Sequence, residues 1–200
     1  MHHIFCIMGK SGSGKDTVYR MLMEDPGLGL SRIVTYTTRP RRNKEQEGRE
    51  YHFCTEEDHG RLKSEGRIIE ERAYDTCYGL WRYFTVDDGG IDLDSRDYLI
   101  IGTPESFASF GRYYGGDRVV PIYIDVEDGI RLTRALEREK KQAEPAYDEM
   151  CRRFLADKED FSEEKLLAAG ITNRFDNNGL TAADCAHRAA EFIRRMTGKD

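Results

Sequence analysis

A glycine-rich segment near the amino terminus limits what this chain can fold into more than any other feature of its sequence. The apolar run Ile4–Met8 that precedes it is typical of a buried strand. Residues 9–15 then read Gly-Lys-Ser-Gly-Ser-Gly-Lys, and a helical pattern follows through Val18, Met21 and Leu22. A strand, a glycine-rich turn and a helix in this order predict a mostly parallel α/β sheet whose first turn binds an anion.

The turn fits the pattern G-x-x-x-x-G-K, which cradles nucleotide phosphates. Phosphate oxygens must approach backbone N–H groups closely, and glycines both remove obstructing side chains and permit positive φ. The Lys15 ammonium is expected to lie over the β- and γ-phosphates. A glycine-rich turn without a ligand is the alternative. The residues predicted to bind ATP here are Gly9, Ser11, Gly12, Ser13, Gly14, Lys15, Asp16 and Thr17.

The residue after the lysine departs from the pattern. A Ser or Thr hydroxyl usually reaches Mg²⁺ from this position, whereas this chain has Asp16 there and Thr17 next. A carboxylate is a hard oxygen ligand for magnesium. We therefore predict that Asp16 either binds Mg²⁺, directly or through water, or caps the helix, and that the cofactors are ATP and Mg²⁺.

Composition narrows the function classes. The chain has 200 residues, of which 38% are hydrophobic and 34% charged, and no apolar run reaches the roughly 18–20 residues of a membrane span. Its five cysteines are scattered without C-x-x-C spacing, and its net charge is −6. The amino terminus lacks the pattern of a signal peptide. We expect a single cytoplasmic domain, residues 1–200, that binds small-molecule nucleotides rather than nucleic acid or membrane, in an oligomeric state that is left open.

Apolar runs at Tyr98–Ile101 and 119–124 predict further buried strands, and shorter extended segments are predicted at 33–36, 68–69 and 171–175. Helical patterns cover residues 126–141, 147–158 and 182–196. Strands that alternate with helices predict an α/β fold of the P-loop NTPase type, with a parallel sheet between two helical layers. Two segments, about 34–90 and 126–158, fit that core poorly and are predicted to be mobile excursions.

Residues 35–53 carry a second motif. Thr37-Thr38-Arg39 is followed by Arg42, by an acidic loop and by Tyr51-His52-Phe53. This stretch resembles the monophosphate-binding region of guanylate kinases, whose pattern is T-T-R-x-x-R and then Y-x-F. Two guanidiniums and a phenolic hydroxyl suit a monophosphate dianion, although a solvated basic run or a nucleic-acid patch is the alternative. The resemblance implies that Arg39, Arg42 and Tyr51 bind GMP, and that Thr35 contacts its base.

The same resemblance predicts a guanine pocket. The family has a Glu-x-Ala segment followed by Tyr-Gly, and this chain offers Glu70, Glu71 and then Tyr78, at a shorter spacing than the family pattern. A solvated strand edge is the alternative for both glutamates. Leu80 stands where the family has Thr or Ser. Ile101 and Thr103 occupy the places of an acidic pair, so we expect an altered metal and acceptor environment.

The segment predicted as a lid is rich in arginines. Arg131, Arg134 and Arg138 lie at i, i+3 and i+7, which is one helical face, and Arg153 follows on the next helix. Mobile arginines neutralise the charge that develops in phosphoryl transfer, although a salt-bridged exposed helix is the alternative. The predicted catalytic residues are Lys15, Arg39, Arg134, Arg138 and Arg153. The resemblance also implies that Asn177 contacts adenine.

The resemblance to guanylate kinases implies transfer of the γ-phosphoryl group of ATP to GMP, with deoxy-GMP as a further acceptor. Two alternatives stay open. Ribose 1,5-bisphosphate kinases resemble the same family, and a weakened guanine pocket would suit their acceptor. A non-catalytic interaction module is the other, against which the intact Lys15 argues.

Overall fold

The computed structural model describes residues 1–43, 45–76, 79–179 and 181–199. The strands are β1 Ile4–Met8, β2 Ser31–Arg32, β3 Tyr36–Thr37, β4 His52–Phe53, β5 Ile68–Thr76, β6 Gly79–Val86, β7 Tyr98–Ile101, β8 Val119–Asp125 and β9 Arg174–Asp176. The helices are α1 Lys15–Glu24, α2 Glu56–Ser64, α3 Pro104–Tyr114, α4 Asp128–Glu139, α5 Tyr147–Asp160, α6 Glu163–Ala168 and α7 Ala182–Thr197.

The central sheet has the order β2-β7-β1-β8-β9, and all its pairings are parallel. Every residue of β1 is buried, because the strand is covered by helices on both faces. Phe5 and Ile7 pack with α1 and α7, whereas Ile4, Cys6 and Met8 pack with α3 and α6. This arrangement confirms the predicted α/β fold with its mostly parallel sheet.

A second sheet, of order β4-β3-β6-β5, lies within the segment predicted as the first excursion. Its centre is the antiparallel hairpin of β5 and β6, whose register places Glu70 opposite Thr85 and Arg72 opposite Tyr83. Helix α2 covers one face through Leu62, which packs with Phe84 and Val86 of β6. The other face is left to line the candidate site described below.

The predicted lid segment forms α4 and α5. Helix α4 follows β8 closely, and its backbone passes so near the glycine-rich turn that a Cβ on Gly12 would lie 2.5 Å from the carbonyl oxygen of Arg131. Helix α5 packs against α4 through Phe154, whose ring lies 3.7 Å from the Arg131 guanidinium carbon. The predicted lid segment and the glycine-rich turn are therefore in direct contact.

The sequence expectation for residues 33–36 is wrong in its position. The structure has two short strands on either side, Ser31–Arg32 in the central sheet and Tyr36–Thr37 in the second sheet. The chain crosses from one sheet to the other between them, so Ile33 is buried and Val34 half-buried without forming one strand. The extended segment expected at 68–69 is likewise only the start of the longer strand β5.

Two further expectations concern membranes and cysteines. Within the part of the chain that the structure describes, the longest and most apolar helices fall short of what a membrane span requires. Cys6, Cys54, Cys151 and Cys185 are all free thiols. Burial raises the pKa of the Cys6 thiol to about 12, so it is a core residue rather than a reactive one.

Candidate active site

The turn between β1 and α1 has the backbone of a phosphate cradle. Gly12 and Gly14 adopt positive φ values of 81° and 87°. A Cβ on Gly9 would lie 2.7 Å from Ser13 Oγ and 2.8 Å from the Ile124 carbonyl oxygen. Helix α1 has Gly14 as its N-cap and no side-chain cap hydrogen bond. Its N-terminus therefore keeps backbone donors and a positive dipole end for an anion.

Lys15 and Asp16 begin helix α1. The Lys15 ammonium lies 3.8 Å from Asp16 Oδ2, and the side chains are 19% and 76% exposed, respectively. Asp16 lies in the first turn of α1, where its negative charge suits the positive end of the helix dipole, so both alternatives for Asp16 stay predictions. Among the described residues, no group of three or more His, Cys, Asp or Glu side chains could hold a metal ion. A magnesium ion at Asp16 would thus depend on phosphate oxygens for its other ligands.

Asn177 ties the carboxyl-terminal part of the fold to the cradle. Its amide nitrogen Nδ2 donates a hydrogen bond of 2.8 Å to the Ser13 carbonyl oxygen. Its backbone carbonyl oxygen accepts from Arg134 Nη2 at 2.9 Å. The Asn177 residue is only 2% exposed. The structure thus engages Asn177 in fixing the turn and Arg134, and its contact with adenine stays a prediction.

An acidic side chain of the lid contacts the cradle directly. The Ser11 backbone N–H donates a hydrogen bond of 2.7 Å to Asp157 Oδ2 of helix α5. Arg131 is fully buried and links the lid to this contact, because its Nε donates to Asp128 at 2.7 Å and its Nη1 lies 3.5 Å from Asp157. The guanidinium of Arg131 also holds the pKa of the Asp128 carboxyl below its usual range. A carboxylate therefore occupies one of the backbone donors that a phosphate would use.

Two of the predicted lid arginines meet at the same place. Arg138 and Arg153 line a cavity of about 210 Å³ together with Ser11 and Phe154. Arg153 Nη2 donates to Ser11 Oγ at 3.3 Å. Arg134 lies apart from them, since its Nη2 bonds to the Asn177 carbonyl. The structure thus brings Arg138 and Arg153 to the edge of the cradle, and holds Arg134 behind it.

Arg39 of the second motif is buried and fully engaged. Its Nε donates to Tyr83 Oη at 3.1 Å, and its Nη2 donates to Glu45 Oε1 at 2.8 Å. Burial opposes the charge, but the bonds to Glu45 and Tyr83 outweigh it and raise the guanidinium pKa. Arg42 is exposed, and its backbone N–H donates to the other oxygen of Glu45. Glu45 therefore holds the two arginines of the motif in one loop.

A larger cavity, of about 360 Å³, opens between the second sheet and helix α1. Its walls include Thr35, Tyr51 and Asp16 among the predicted site residues. Burial raises the pKa of Tyr51, so its hydroxyl stays a hydrogen-bond donor at neutral pH. Ile101 lines the cavity as well, whereas Thr103 caps helix α3 by accepting from the Ser106 N–H. At the two positions where the family has an acidic pair, this chain thus has an apolar side chain in the cavity wall and a residue that caps a helix.

The two candidate base-reading glutamates face opposite ways. Glu70 lies on the face of β5 toward the cavity and is 4% exposed. Glu71 faces helix α2, where its carboxylate accepts from Lys63 Nζ at 2.8 Å and from Arg82 Nη1 at 2.6 Å. The structure does not bring Glu71 to the cavity. Tyr78, the other residue predicted for this pocket, lies outside the described residues.

Several side chains at these cavities did not stand out in the sequence. Arg32, Arg49, Arg72, Tyr19 and Tyr83 line the larger cavity. Asp157 contacts the cradle from a distance of 146 residues along the chain. The only sequence signal for Arg72 was its alternation with Glu70 in an extended segment, which places both on one face of a strand.

Comparison with known proteins agrees with this geometry. Residues 1–82 match the guanylate kinase family model. The chain is 40% identical over 77 residues to a guanylate kinase of Brucella melitensis, covering 38% of this chain and 35% of that protein. It is 43% identical over 75 residues to a guanylate kinase of Granulibacter bethesdensis, covering 36% and 34%, respectively. These matches confirm the resemblance predicted from the motifs, over the first two-fifths of the chain.

A structural comparison extends the likeness in fold to almost the whole chain. The crystal structure of guanylate kinase from Anaplasma phagocytophilum aligns with a TM-score of 0.61, covering 97% of this chain and 85% of that one. The sequence identity in this alignment is 21%, so the alignment shows a shared fold. In sequence, the chain spans only about a third of the length of the curated relatives it matches.

Proposed function

We propose that this protein transfers the γ-phosphoryl group of ATP to GMP, and also to deoxy-GMP. The observation that carries the proposal is the position of the phosphate cradle between two cavities. Ser11 at one end of the cradle borders the lid cavity with Arg138 and Arg153, and Asp16 at the other end borders the larger cavity with Tyr51. A donor on the cradle would thus have arginines on one side and an acceptor pocket on the other.

ATP fits the donor side on the chain's own features. Gly12 and Gly14 have the positive φ values that a cradle of backbone amides requires, and Lys15 adds an ammonium at the start of α1. Asp16 is the residue that would hold Mg²⁺ together with phosphate oxygens. When bound, this ion would supply charge neutralisation to the transferring group.

The reaction requires no nucleophilic side chain, because the acceptor phosphate attacks the γ-phosphorus in line. The protein's part is to position both nucleotides, exclude water and neutralise charge. Lys15, Arg138 and Arg153 are proposed to neutralise the transferring group, and Arg134 to support them through Asn177. Arg42 and Tyr51 are proposed to hold the acceptor phosphate, with Thr35 nearer the base. Arg39 and Glu70, whose side chains are buried and paired with Glu45 and Arg72, are proposed to position those contacts.

In this proposal residues 1–200 form one domain, whose excursions at about 34–90 and 126–158 close over the nucleotides. The hydrogen bond from the Ser11 N–H to Asp157 supports this closure, because it joins the second excursion to the cradle. A cytoplasmic location and small-molecule partners belong to the same proposal. The comparisons do not favour the sugar-bisphosphate kinase or the non-catalytic module over it.

The first prediction concerns Arg42. We expect Arg42→Ala to raise the KM for GMP by roughly ten- to a hundredfold, since charge-assisted hydrogen bonds are worth about 1.5–3 kcal/mol. The KM for ATP should change by less than threefold. Steady-state kinetics with each substrate varied in turn measures both constants. Equal increases in the two KM values would contradict separate donor and acceptor sites.

The second prediction concerns Asp157, whose carboxylate occupies the Ser11 N–H. Because ATP phosphates would compete for this donor, Asp157→Ala is expected to lower the KM for ATP roughly two- to tenfold, as a net hydrogen bond is worth about 0.5–1.5 kcal/mol. Asp160→Asn is the control, since Asp160 is exposed on the same helix. A KM for ATP that rises in Asp157→Ala would show that the carboxylate supports nucleotide binding.

The function itself is tested by a coupled assay of ADP release with ATP and Mg²⁺. The acceptor panel contains GMP, dGMP, AMP, UMP, CMP, dTMP and ribose 1,5-bisphosphate. Release of ADP with GMP and dGMP is the expected result. Turnover with ribose 1,5-bisphosphate alone would show that the acceptor is the sugar bisphosphate and not GMP. Absence of turnover with every compound in the panel would contradict the assignment as a kinase.

A further inference from the structure

The hairpin of β5 and β6 turns an ion pair toward the larger cavity. Residues that are directly opposite in an antiparallel pair share a face, so Glu70, Thr85, Arg72 and Tyr83 lie on one face of the hairpin. This face continues toward Tyr51, whose ring lies 5.6 Å from that of Tyr83. The ion pair therefore belongs to the wall of the proposed acceptor site.

The carboxylate of this pair has little to offer a ligand. The Glu70 side chain is 1% exposed, and Arg72 Nε and Nη2 donate to it at 3.1 Å and 3.4 Å. Thr85 Oγ1 donates to Glu70 Oε1 at 2.9 Å. Glu70 is thus covered by Arg72 and does not itself line the cavity.

Arg72 does line the cavity, with 17% of its side chain exposed. A guanidinium has five N–H donors in a rigid plane. Nε and Nη2 bond to Glu70, while Nη1 has no hydrogen-bond partner among the described residues. Burial opposes the charge of Arg72, but Glu70 outweighs it and holds the guanidinium pKa above its ordinary value. The cavity wall therefore presents hydrogen-bond donors, where a carboxylate would present acceptors.

Part of the lining of this cavity suits a planar ring. Ile33, Ile100 and Ile101 form its apolar part, and Tyr19 and Tyr51 add aromatic rings. An apolar wall favours the faces of an aromatic base. Arg32 and Arg49 also line the cavity, so a phosphate group of the same acceptor has guanidiniums within the site.

We infer that Arg72 reads the 6-oxo and N7 edge of the acceptor's base, so that the site takes 6-oxopurine monophosphates as a class. This inference rests on the proposed function and specifies its acceptor. A guanidinium forms two parallel hydrogen bonds to the O6 and N7 acceptors of guanine. Adenine presents an amino donor at position 6, which would meet the donors of Arg72. The 2-amino group of guanine has no part in this recognition.

Wild-type protein provides the first test, through kcat/KM for GMP, IMP and AMP. IMP keeps the 6-oxygen and N7 but lacks the 2-amino group. We expect GMP and IMP to agree within about tenfold, and AMP to be at least about 1,000-fold poorer, because a hydrogen-bonding site strongly rejects an analogue that leaves its groups unpaired. A value for IMP more than 100-fold below GMP would overturn the inference, since the 2-amino group would then be read. Activity with ribose 1,5-bisphosphate as the acceptor, and with none of the nucleoside monophosphates, would overturn the proposed function itself.

Variants provide the second test. Arg72→Met should lower the ratio of kcat/KM for GMP over AMP by at least about 100-fold, and Arg72→Lys, which keeps the charge beside Glu70, by a smaller factor. Arg82→Met is a matched control, because Arg82 is 22% exposed and paired with Glu71 on the opposite face of the hairpin. In Arg82→Met, the ratio of kcat/KM for GMP over AMP should match that of the wild type. A ratio unchanged in both Arg72 variants, with GMP activity retained, would contradict the inference and leave the proposed function standing.

Discussion

Lys15→Ala is expected to lower kcat for phosphoryl transfer by roughly 100- to 1,000-fold, which is the usual cost of removing one group that stabilises transition-state charge. Lys15 begins helix α1 directly after the cradle, and its side chain is 19% exposed. Among the described residues its ammonium pairs with exposed Asp16 at 3.8 Å and with no other carboxylate, so the fold loses little when the ammonium is removed. Turnover measured at saturating ATP and GMP, together with thermal unfolding, separates catalysis from stability.

Lys10→Ala is the matched control for this prediction. Lys10 belongs to the same turn, but its ammonium lies 3.4 Å from Asp128 of the lid. We expect a loss of less than about tenfold in this variant, because the pair is partly exposed and weak. A kcat of Lys15→Ala within threefold of the wild type would refute the assignment of Lys15 to the transferring phosphate.

Gly12→Ala is expected to damage both the cradle and the lid. At φ 81° an L-residue costs about 1–2 kcal/mol, and the new Cβ would lie 2.5 Å from the Arg131 carbonyl oxygen. Since overpacking adds about 1–3 kcal/mol, the variant should lose at least about 2 kcal/mol of unfolding free energy. For a chain of this size, that lowers the melting temperature by roughly 4–8 °C. The affinity for ATP should fall as well, because α4 must move away from the turn.

Gly89→Ala is the control that separates the free-energy cost of a positive φ from the cost of the steric clash. Gly89 has nearly the same φ, 79°, but nothing lies within 4 Å of the position its Cβ would take. It should therefore show only the backbone cost and an unchanged affinity for ATP. Scanning calorimetry with and without ATP compares the two variants. If Gly12→Ala and Gly89→Ala lose the same free energy of unfolding and both retain ATP binding, the close approach of the Arg131 carbonyl to Gly12 does not couple the cradle to the lid.

The central sheet could be predicted because its signals are local. Ile4–Met8 and Tyr98–Ile101 are continuous apolar runs, as expected of strands buried on both faces, and both strands begin and end where the runs do. The β5–β6 hairpin was missed beyond its first residues. Strand β5 carries charges on both faces, Glu70 and Arg72 toward the cavity and Glu71 toward α2, so it lacks the apolar alternation of an ordinary half-buried strand.

The candidate site, like the fold, has one part that the local sequence predicts and another that it does not. The cradle is contained in seven consecutive residues, and its sequence pattern led directly to it. The choice between Glu70 and Glu71 depends on an irregularity in the pairing between Ile68 and Glu70, which sets the face that each glutamate takes. The contact between Ser11 and Asp157 joins residues far apart in sequence through the packing of α5 on α4. Such contacts arise from tertiary structure and leave no local pattern.

The central claim is that the γ-phosphoryl group of ATP moves to GMP, and following the phosphorus atom tests it most directly. The protein is incubated with γ-³²P-labelled ATP, Mg²⁺ and GMP, and the products are separated by chromatography. The account predicts that the label appears in GDP, at a rate that Lys15→Ala lowers roughly 100- to 1,000-fold. Label recovered only as inorganic phosphate, or remaining in ATP, would contradict it.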